Sequence, residues 1–181
     1  MRAGHRKAGL GAVEIHPALW TGHPTKIPVE ACRAALEAYV QAVRDHAPFS
    51  DVLGAVHART ICRSGGEGLG QSFIPMDTQE LVGALVTPGP KRIQDVCCGS
   101  GGLTLGVLRS GAITASNATV HAVDIDPVCC AMTSVQLMIQ GFAHHPPVKR
   151  VRVYCANGLS DPKTWPLFYG HDRAEPREAT A

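Results

Sequence analysis

Apolar residues recur every three or four positions from Val29 to His46, at Ala31, Ala34, Ala35, Leu36, Ala38, Tyr39, Val40, Ala42 and Val43. That spacing predicts a helix with one apolar face, ended before Pro48, and a second helix over Ser50 to Cys62. Gly65-Gly66-Glu67-Gly68-Leu69-Gly70 breaks the pattern as a loop, and Asp77 with Glu80 then makes a capping box that starts a helix running to Val86. Pro88-Gly89-Pro90 separates this helix from an apolar strand, Arg92 to Val96, which is followed by a helix from Gly101 to Arg109. A second strand covers Thr119 to Val123. Asp126-Pro127 supplies an N-cap and a first-turn proline for a helix that continues to Gln140 and stops at Gly141. Val148 to Tyr154 alternates apolar and basic residues, the pattern of a third strand with one more exposed face.

Helices followed by strand, helix, strand, helix, strand predict an α/β fold, a Rossmann-like half-domain of parallel strands with ligand at their carboxyl ends. The expected organisation is an irregular arm over 1–28, a helical region over 29–64, a ligand-binding domain over 65–165, and a polar, frayed tail over 166–181. Three strands make only the first half of the usual sheet. Either the N-terminal helices cover a small three-stranded domain or a partner completes it, and an exposed edge on the third strand favours pairing with another chain or a second copy.

The chemistry concentrates where the first strand ends. Asp95-Val96-Cys97-Cys98-Gly99-Ser100-Gly101-Gly102 places a glycine-rich turn between strand and helix, where Gly99, Gly101 and Gly102 let backbone approach a ligand closely. Asp124, at the end of the next strand, lies where an acid hydrogen-bonds a ribose diol, roughly 20–30 residues after such a turn. It reads alternatively as a strand-end turn acid. Asp95 suits either a cofactor amino group or the loop amides. The glycines lack the dinucleotide spacing, since the sixth position from Gly99 is Thr104, and no lysine between Lys91 and Lys149 is available to clamp a phosphate. A nucleoside without phosphate, S-adenosylmethionine, fits this chemistry best.

At these residues the chain resembles a known family. Asp95-Val96-Cys97-Cys98-Gly99-Ser100-Gly101-Gly102-Leu103 resembles the first motif of S-adenosylmethionine-dependent adenine-specific DNA methyltransferases, with Val96 in place of the usual proline. Val120-His121-Ala122-Val123-Asp124-Ile125-Asp126-Pro127 resembles their second motif. Gly70-Gln71-Ser72-Phe73-Ile74-Pro75 is similar to the Gly-Gln-x-Phe-Thr-Pro segment beside the cofactor's methionine part, Ile74 replacing threonine. Asp51 to Gly54, Met132 to Leu137 with Gly141, and Ala156-Asn157-Gly158-Leu159 extend the resemblance over residues 50–165, and the chain also resembles short methylase-like proteins of phages and plasmids. The resemblance implies a cofactor site made of Phe73, Pro75, Asp95, Cys97, Cys98, Gly99, Ser100, Gly101, Gly102, Asp124, Ile125 and Asn157. From the residues alone, Asn157 is as well explained as a turn cap before Gly158, and Phe73 as core.

The same resemblance implies direct methyl transfer to the exocyclic amino group of a flipped adenine, with DNA as the partner. That amine is a poor nucleophile, so the family holds it with an Asn/Asp/Ser-Pro-Pro-aromatic signature. The only Pro-Pro pair here, Pro146-Pro147, is preceded by His145 and followed by Val148, ahead of the third strand. Trp165-Pro166-Leu167-Phe168-Tyr169 supplies aromatics without that scaffold, and no catalytic residue is assigned. The leading reading is an S-adenosylmethionine-binding, adenine-specific DNA methyltransferase-like protein, inactive alone or one half of a split enzyme; the alternatives are a non-catalytic cofactor- or DNA-binding regulatory module of a restriction-modification or mobile-element system, and a methyltransferase on a non-DNA substrate.

Composition narrows this picture only slightly. A chain of 181 residues with 45% apolar and 18% charged residues suits one ordinary domain. A net charge of +2 is well short of an autonomous nucleic-acid binder, so any DNA affinity must be local or borrowed. Basic residues group at Lys149, Arg150 and Arg152 and at Arg2, Arg6 and Lys7. No apolar run reaches membrane-spanning length and no apolar leader opens the chain, which sets the expectation of a cytoplasmic protein. Seven cysteines include the pairs Cys97-Cys98 and Cys129-Cys130 without any Cys-x-x-Cys. Adjacent cysteines in a strand point to opposite faces, so small buried thiols are expected rather than a metal or redox site across the crevice.

Overall fold

The computed structural model describes residues 13–15, 28–60, 72–89, 91–114, 118–146 and 148–172. In chain order these give β1 (Val13–Ile15), α1 (Val29–Asp45), α2 (Val52–Thr60), α3 (Met76–Leu85), β2 (Arg92–Asp95), α4 (Gly102–Arg109), β3 (Ala118–Asp124), α5 (Pro127–His144), β4 (Val148–Cys155) and β5 (Leu167–Asp172). A single turn of 3-10 helix, Pro162–Thr164, precedes β5.

One five-stranded sheet runs in the order β1-β5-β4-β3-β2. β2, β3 and β4 are parallel, with Ile93 beside Val120 and Val120 beside Val151, while β5 is antiparallel to β4 and β1 antiparallel to β5. The predicted α/β class and the three parallel strands therefore stand, within a mixed sheet. Two expectations are corrected. The chain after Trp165 is not a frayed tail: Leu167–Asp172 pairs with β4, and Tyr169 is buried beside Val153. The N-terminal arm is not wholly irregular, since Val13–Ile15 adds the outermost strand. The edge of β4 is thus occupied from within the chain, and pairing with another molecule is not needed there.

A single core lies on one face of the sheet. Ala118, Val120 and Ala122 of β3, Val151 and Val153 of β4 and Tyr169 of β5 meet Leu105 and Leu108 of α4 and Cys130 and Leu137 of α5. Both crossover helices therefore cover the same face. The other face carries Arg92, Gln94, Thr119, His121, Arg150 and Arg152, none of them buried.

Local chemistry explains the element ends. The Asp126 side chain accepts from Val128 N at 2.8 Å and Pro127 opens α5, as the sequence predicts. Gly141 does not end that helix. It runs another turn to His144 and is capped by His145 in the left-handed region, φ 47°, so these histidines are helix end and cap rather than loop. Asp77 is not an N-cap either: α3 begins one residue earlier, after the extended Pro75, and Asp77 accepts from Thr78 N inside the first turn. Glu80 instead pairs with Arg109 of α4. α3 and α4 touch backbone to backbone, because a Cβ on Gly83 would strike the Gly106 carbonyl and one on Gly106 would strike Gln79 O.

Candidate functional site

The carboxyl ends of β2, β3 and β4 feed three turns that converge. The first, Val96 to Gly101, owes its shape to Gly99 and Gly101, whose φ values of 54° and 91° favour glycine. Gly101 N donates to Cys98 O at 2.7 Å and Gly101 O accepts from Leu105 N, which turns the chain into α4. The second turn, after β3, is set by Asp124. One carboxylate oxygen accepts from Gly99 N at 2.8 Å and the other from Asp126 N at 2.9 Å. The glycine turn and the acid are therefore a single hydrogen-bonded unit. The third turn, after β4, crosses the end of β3: Ala156 N donates to Asp124 O at 2.8 Å, and Gly158 lies so close to Val96 that a Cβ there would strike its carbonyl.

The exposed rim of this crevice is apolar. Val96, Ile125 and Leu159 are 40%, 63% and 95% exposed, one from each turn. Asn157 commits its side-chain carbonyl to Leu159 N at 3.0 Å and its backbone carbonyl to Ser160, the turn-capping role that its Asn-Gly sequence allows. Trp165 Nε1 donates to Ser160 Oγ at 3.0 Å and holds the same turn from behind.

Asp95 is half-buried at the end of β2. Burial pushes its carboxyl above the ordinary carboxylate range, partly offset by a hydrogen bond from Thr104 Oγ1 at 3.1 Å. Phe73 stands over the glycine turn, its ring 3.3 Å from where a Gly99 Cβ would lie and edge-on to His57 at 4.9 Å. Pro75 is exposed at the start of α3 and orients that helix. Gly70 and Gln71 of the same segment lie outside the described residues.

Several predicted site residues point inward. Ser100, 2% exposed, donates to Asp51 Oδ2 at 2.6 Å. Gly102 is buried because the Gln79 and Asp51 side chains fill the space a Cβ would need. Cys98 is buried against Thr133, and burial raises its thiol strongly, whereas Cys97 is exposed on the turn. The same burial pushes Cys129 up to about 12 and Cys130 higher still. Among the described residues no group of His, Cys, Asp or Glu is arranged to hold a metal ion.

Beneath the turn lies a polar network that the sequence reading did not assign. Asp51, 4% exposed, accepts from Gly54 N, Gln79 Nε2, Ser100 Oγ and Gln136 Nε2 at 2.9, 3.1, 2.6 and 2.7 Å. Gln136 Nε2 also donates to Ser100 O at 2.7 Å, and Gln140 Nε2 to Ser50 O at 2.8 Å. Arg109 fixes the preceding turn through Phe49 O and Ser50 Oγ at 2.9 and 3.2 Å, holding Phe49 in the left-handed region at φ 60°. α2, α3, α5 and the glycine turn thus share one buried carboxylate. The signal in the sequence is Gln136 and Gln140 falling on the same buried face of α5 as Cys129, Thr133 and Leu137.

A search of curated proteins and a search of solved structures return no match. The family model described as N-6 DNA methylase matches residues 50–171, which runs from α2 into β5 and takes in more than half of the chain. On that match, across both the glycine turn and Asp124, the protein belongs to the N-6 DNA methylase family.

Proposed function

We propose that this chain binds S-adenosylmethionine at the carboxyl ends of β2 to β4 and is the cofactor-binding half of an adenine-specific DNA methyltransferase with a Rossmann-like core. The observation that carries the reading is the hydrogen bond from Gly99 N to Asp124. It joins the glycine turn to an acid whose two oxygens each accept one backbone N–H and keep lone pairs for a ribose diol.

The residues present suit this group. Val96, Ile125 and Leu159 offer an apolar rim for the adenine ring, Phe73 walls the methionine side, and Asn157 with its turn closes the far end. Asp95, whose burial disfavours its charged form, is relieved by an approaching ammonium. The exposed Cys97 and the backbone from Gly99 to Gly101 line the turn, while Ser100, Cys98 and Gly102 shape it from beneath. The bound cofactor supplies an electrophilic methyl group; the chain's own part is to hold the nucleoside and exclude water around the sulfonium.

A second reading is favoured by one observation. The chain has no Asn-Pro-Pro-aromatic sequence, and the segment after β4 returns as the antiparallel β5. On this reading the chain binds cofactor without turnover, or needs a neighbouring chain to supply the groups that hold the adenine amine. Calorimetric titration with S-adenosylmethionine, followed by transfer of tritiated methyl groups to DNA with and without candidate partner chains, separates the two. Binding without transfer in either condition marks a non-catalytic module, and transfer only on mixing marks a split enzyme.

A further inference from the structure

The 18-residue helix α5 holds no Asp, Glu, Lys or Arg. Between Pro127 and Ala143 every residue of it that is not buried is apolar, while its polar residues, Thr133, Ser134, Gln136 and Gln140, are all buried. A surface helix ordinarily has the reverse arrangement, apolar within and charged without. The inner side explains itself, because Gln136 and Gln140 are committed to Asp51, Ser100 O and Ser50 O. The outer side has no such explanation. Phe142 is 66% and Val128 45% exposed, at the two ends of the helix, and the half-buried Val135 and Ile139 lie between them. Val128, Val135 and Phe142 recur at heptad spacing, so with Ala131, Met132 and Ile139 they form one continuous stripe along the outer side. An exposed apolar stripe of this kind marks an interaction surface.

The pattern of the stripe selects its occupant. It is symmetrical about Val135: Val128 and Phe142, Ala131 and Ile139, and Met132 and Met138 lie in pairs at equal distances on either side. Two copies packed antiparallel about a two-fold axis at Val135 therefore set Phe142 on the partner's Val128 and Ile139 on the partner's Ala131. Each large side chain meets a smaller one, Met132 meets the pliable side chain of the partner's Met138, and no charge is stripped of water. The helix ends agree. Asp126, the N-cap, falls near the partner's His145, which is exposed at the opposite helix end, and the two macrodipoles oppose each other. Parallel pairing would instead set Asp126 against the partner's Asp126. We propose that the outer face of α5 is a self-complementary dimer interface, on which a second copy of this chain docks its own α5 antiparallel. The two-fold also brings the carboxyl end of one α5 toward the Ile125 rim of the other copy's crevice. The inference goes beyond the cofactor reading and does not depend on it.

The test is sedimentation equilibrium of the full chain over a series of concentrations, with circular dichroism on every variant to confirm folding. A contact along one helix, about 27 Å long, is at the small end of stable interfaces, so a dimer with Kd on the order of 10 µM is expected. V128E and F142K each put one charge on the stripe at an exposed position, near the helix end that favours its sign, and leave the core untouched. Each alone should weaken dimerisation at least roughly tenfold, because the charge faces an apolar partner. The double variant V128E/F142K sets opposite charges against each other across the two-fold and should return to within a few-fold of wild type. An equimolar mixture of the two single variants should likewise dimerise more tightly than either alone. L85E, at a residue of α3 that is 74% exposed, adds a charge elsewhere and should match wild type. A wild type that stays monomeric at about 200 µM, well above that Kd, would overturn the proposal and give the face to a different partner. So would self-association that V128E and F142K leave intact, an equal loss in L85E, or a double variant no tighter than the single ones.

Discussion

Ser100 Oγ donates to Asp51 Oδ2 at 2.6 Å, joining the glycine turn to a carboxylate 49 residues earlier in the chain. Because Asp51 also receives Gly54 N, Gln79 and Gln136, the conformation of the turn depends on α2, α3 and α5 together. Replacing Asp51 by Ala strands several buried donors, and the expected loss is about 3–5 kcal/mol of stability. Urea denaturation measures it. Asp51→Asn keeps acceptor capacity on one oxygen only and should fall between wild type and Asp51→Ala in both stability and cofactor affinity.

The cysteines should divide sharply by reactivity. Thiolate is the nucleophile, and burial holds Cys98, Cys129 and Cys130 well above the ordinary thiol range, while Cys32 and Cys97 are exposed. Brief alkylation of folded protein at neutral pH, read by peptide mass spectrometry, should modify Cys32 and Cys97 and spare those three. Rapid labelling of Cys130 would show that the crevice floor is open.

Two glycines should respond oppositely to the same substitution. Gly141 lies in the interior of α5 with open space where a Cβ would sit, so Gly141→Ala should stabilise by about 0.5–1 kcal/mol. Gly106 lies against the backbone of α3, and Gly106→Ala forces the two helices apart at a cost of about 1–3 kcal/mol. Thermal unfolding of both variants checks the α3–α4 contact.

His121 makes stability pH-dependent in a defined direction. Partial burial, then Arg92, Arg152 and Arg150, lower its pKa in the folded state, so the unfolded chain takes up a proton first as pH falls. The contribution is fully present above the unfolded histidine pKa of about 6.5 and is lost as pH falls from there toward the lowered folded value. Denaturation at pH 7.5 and at pH 5.5 should show a smaller loss in His121→Gln than in wild type.

What the sequence revealed and what it concealed follow from how local each cause is. The strand and turn from Arg92 to Gly101, the acid at Asp124 and the Asp126-Pro127 helix start are legible because alternation, glycines with positive φ and a side-chain cap act within a few residues. β5 is not legible. Its sequence, Leu-Phe-Tyr-Gly-His-Asp, follows a proline, lacks alternation and contains a glycine, and only pairing with β4 and burial of Tyr169 make it a strand. The buried network of Asp51, Gln136 and Gln140 is not legible for the same reason: the partners that make its burial tolerable come from 28 to 90 positions away. Asp77 and Glu80 match a capping box, but the helix is entered from Pro75, two positions earlier, which leaves Asp77 without that role.

The most direct test of the account is calorimetric titration of the folded protein with S-adenosylmethionine, wild type against Asp124→Ala, with circular dichroism to confirm that both are folded. The account predicts one site of micromolar affinity in wild type, weakened at least roughly tenfold, about 1.4 kcal/mol, in the variant. Absence of heat in folded wild-type protein, or equal affinity in the two, would contradict it.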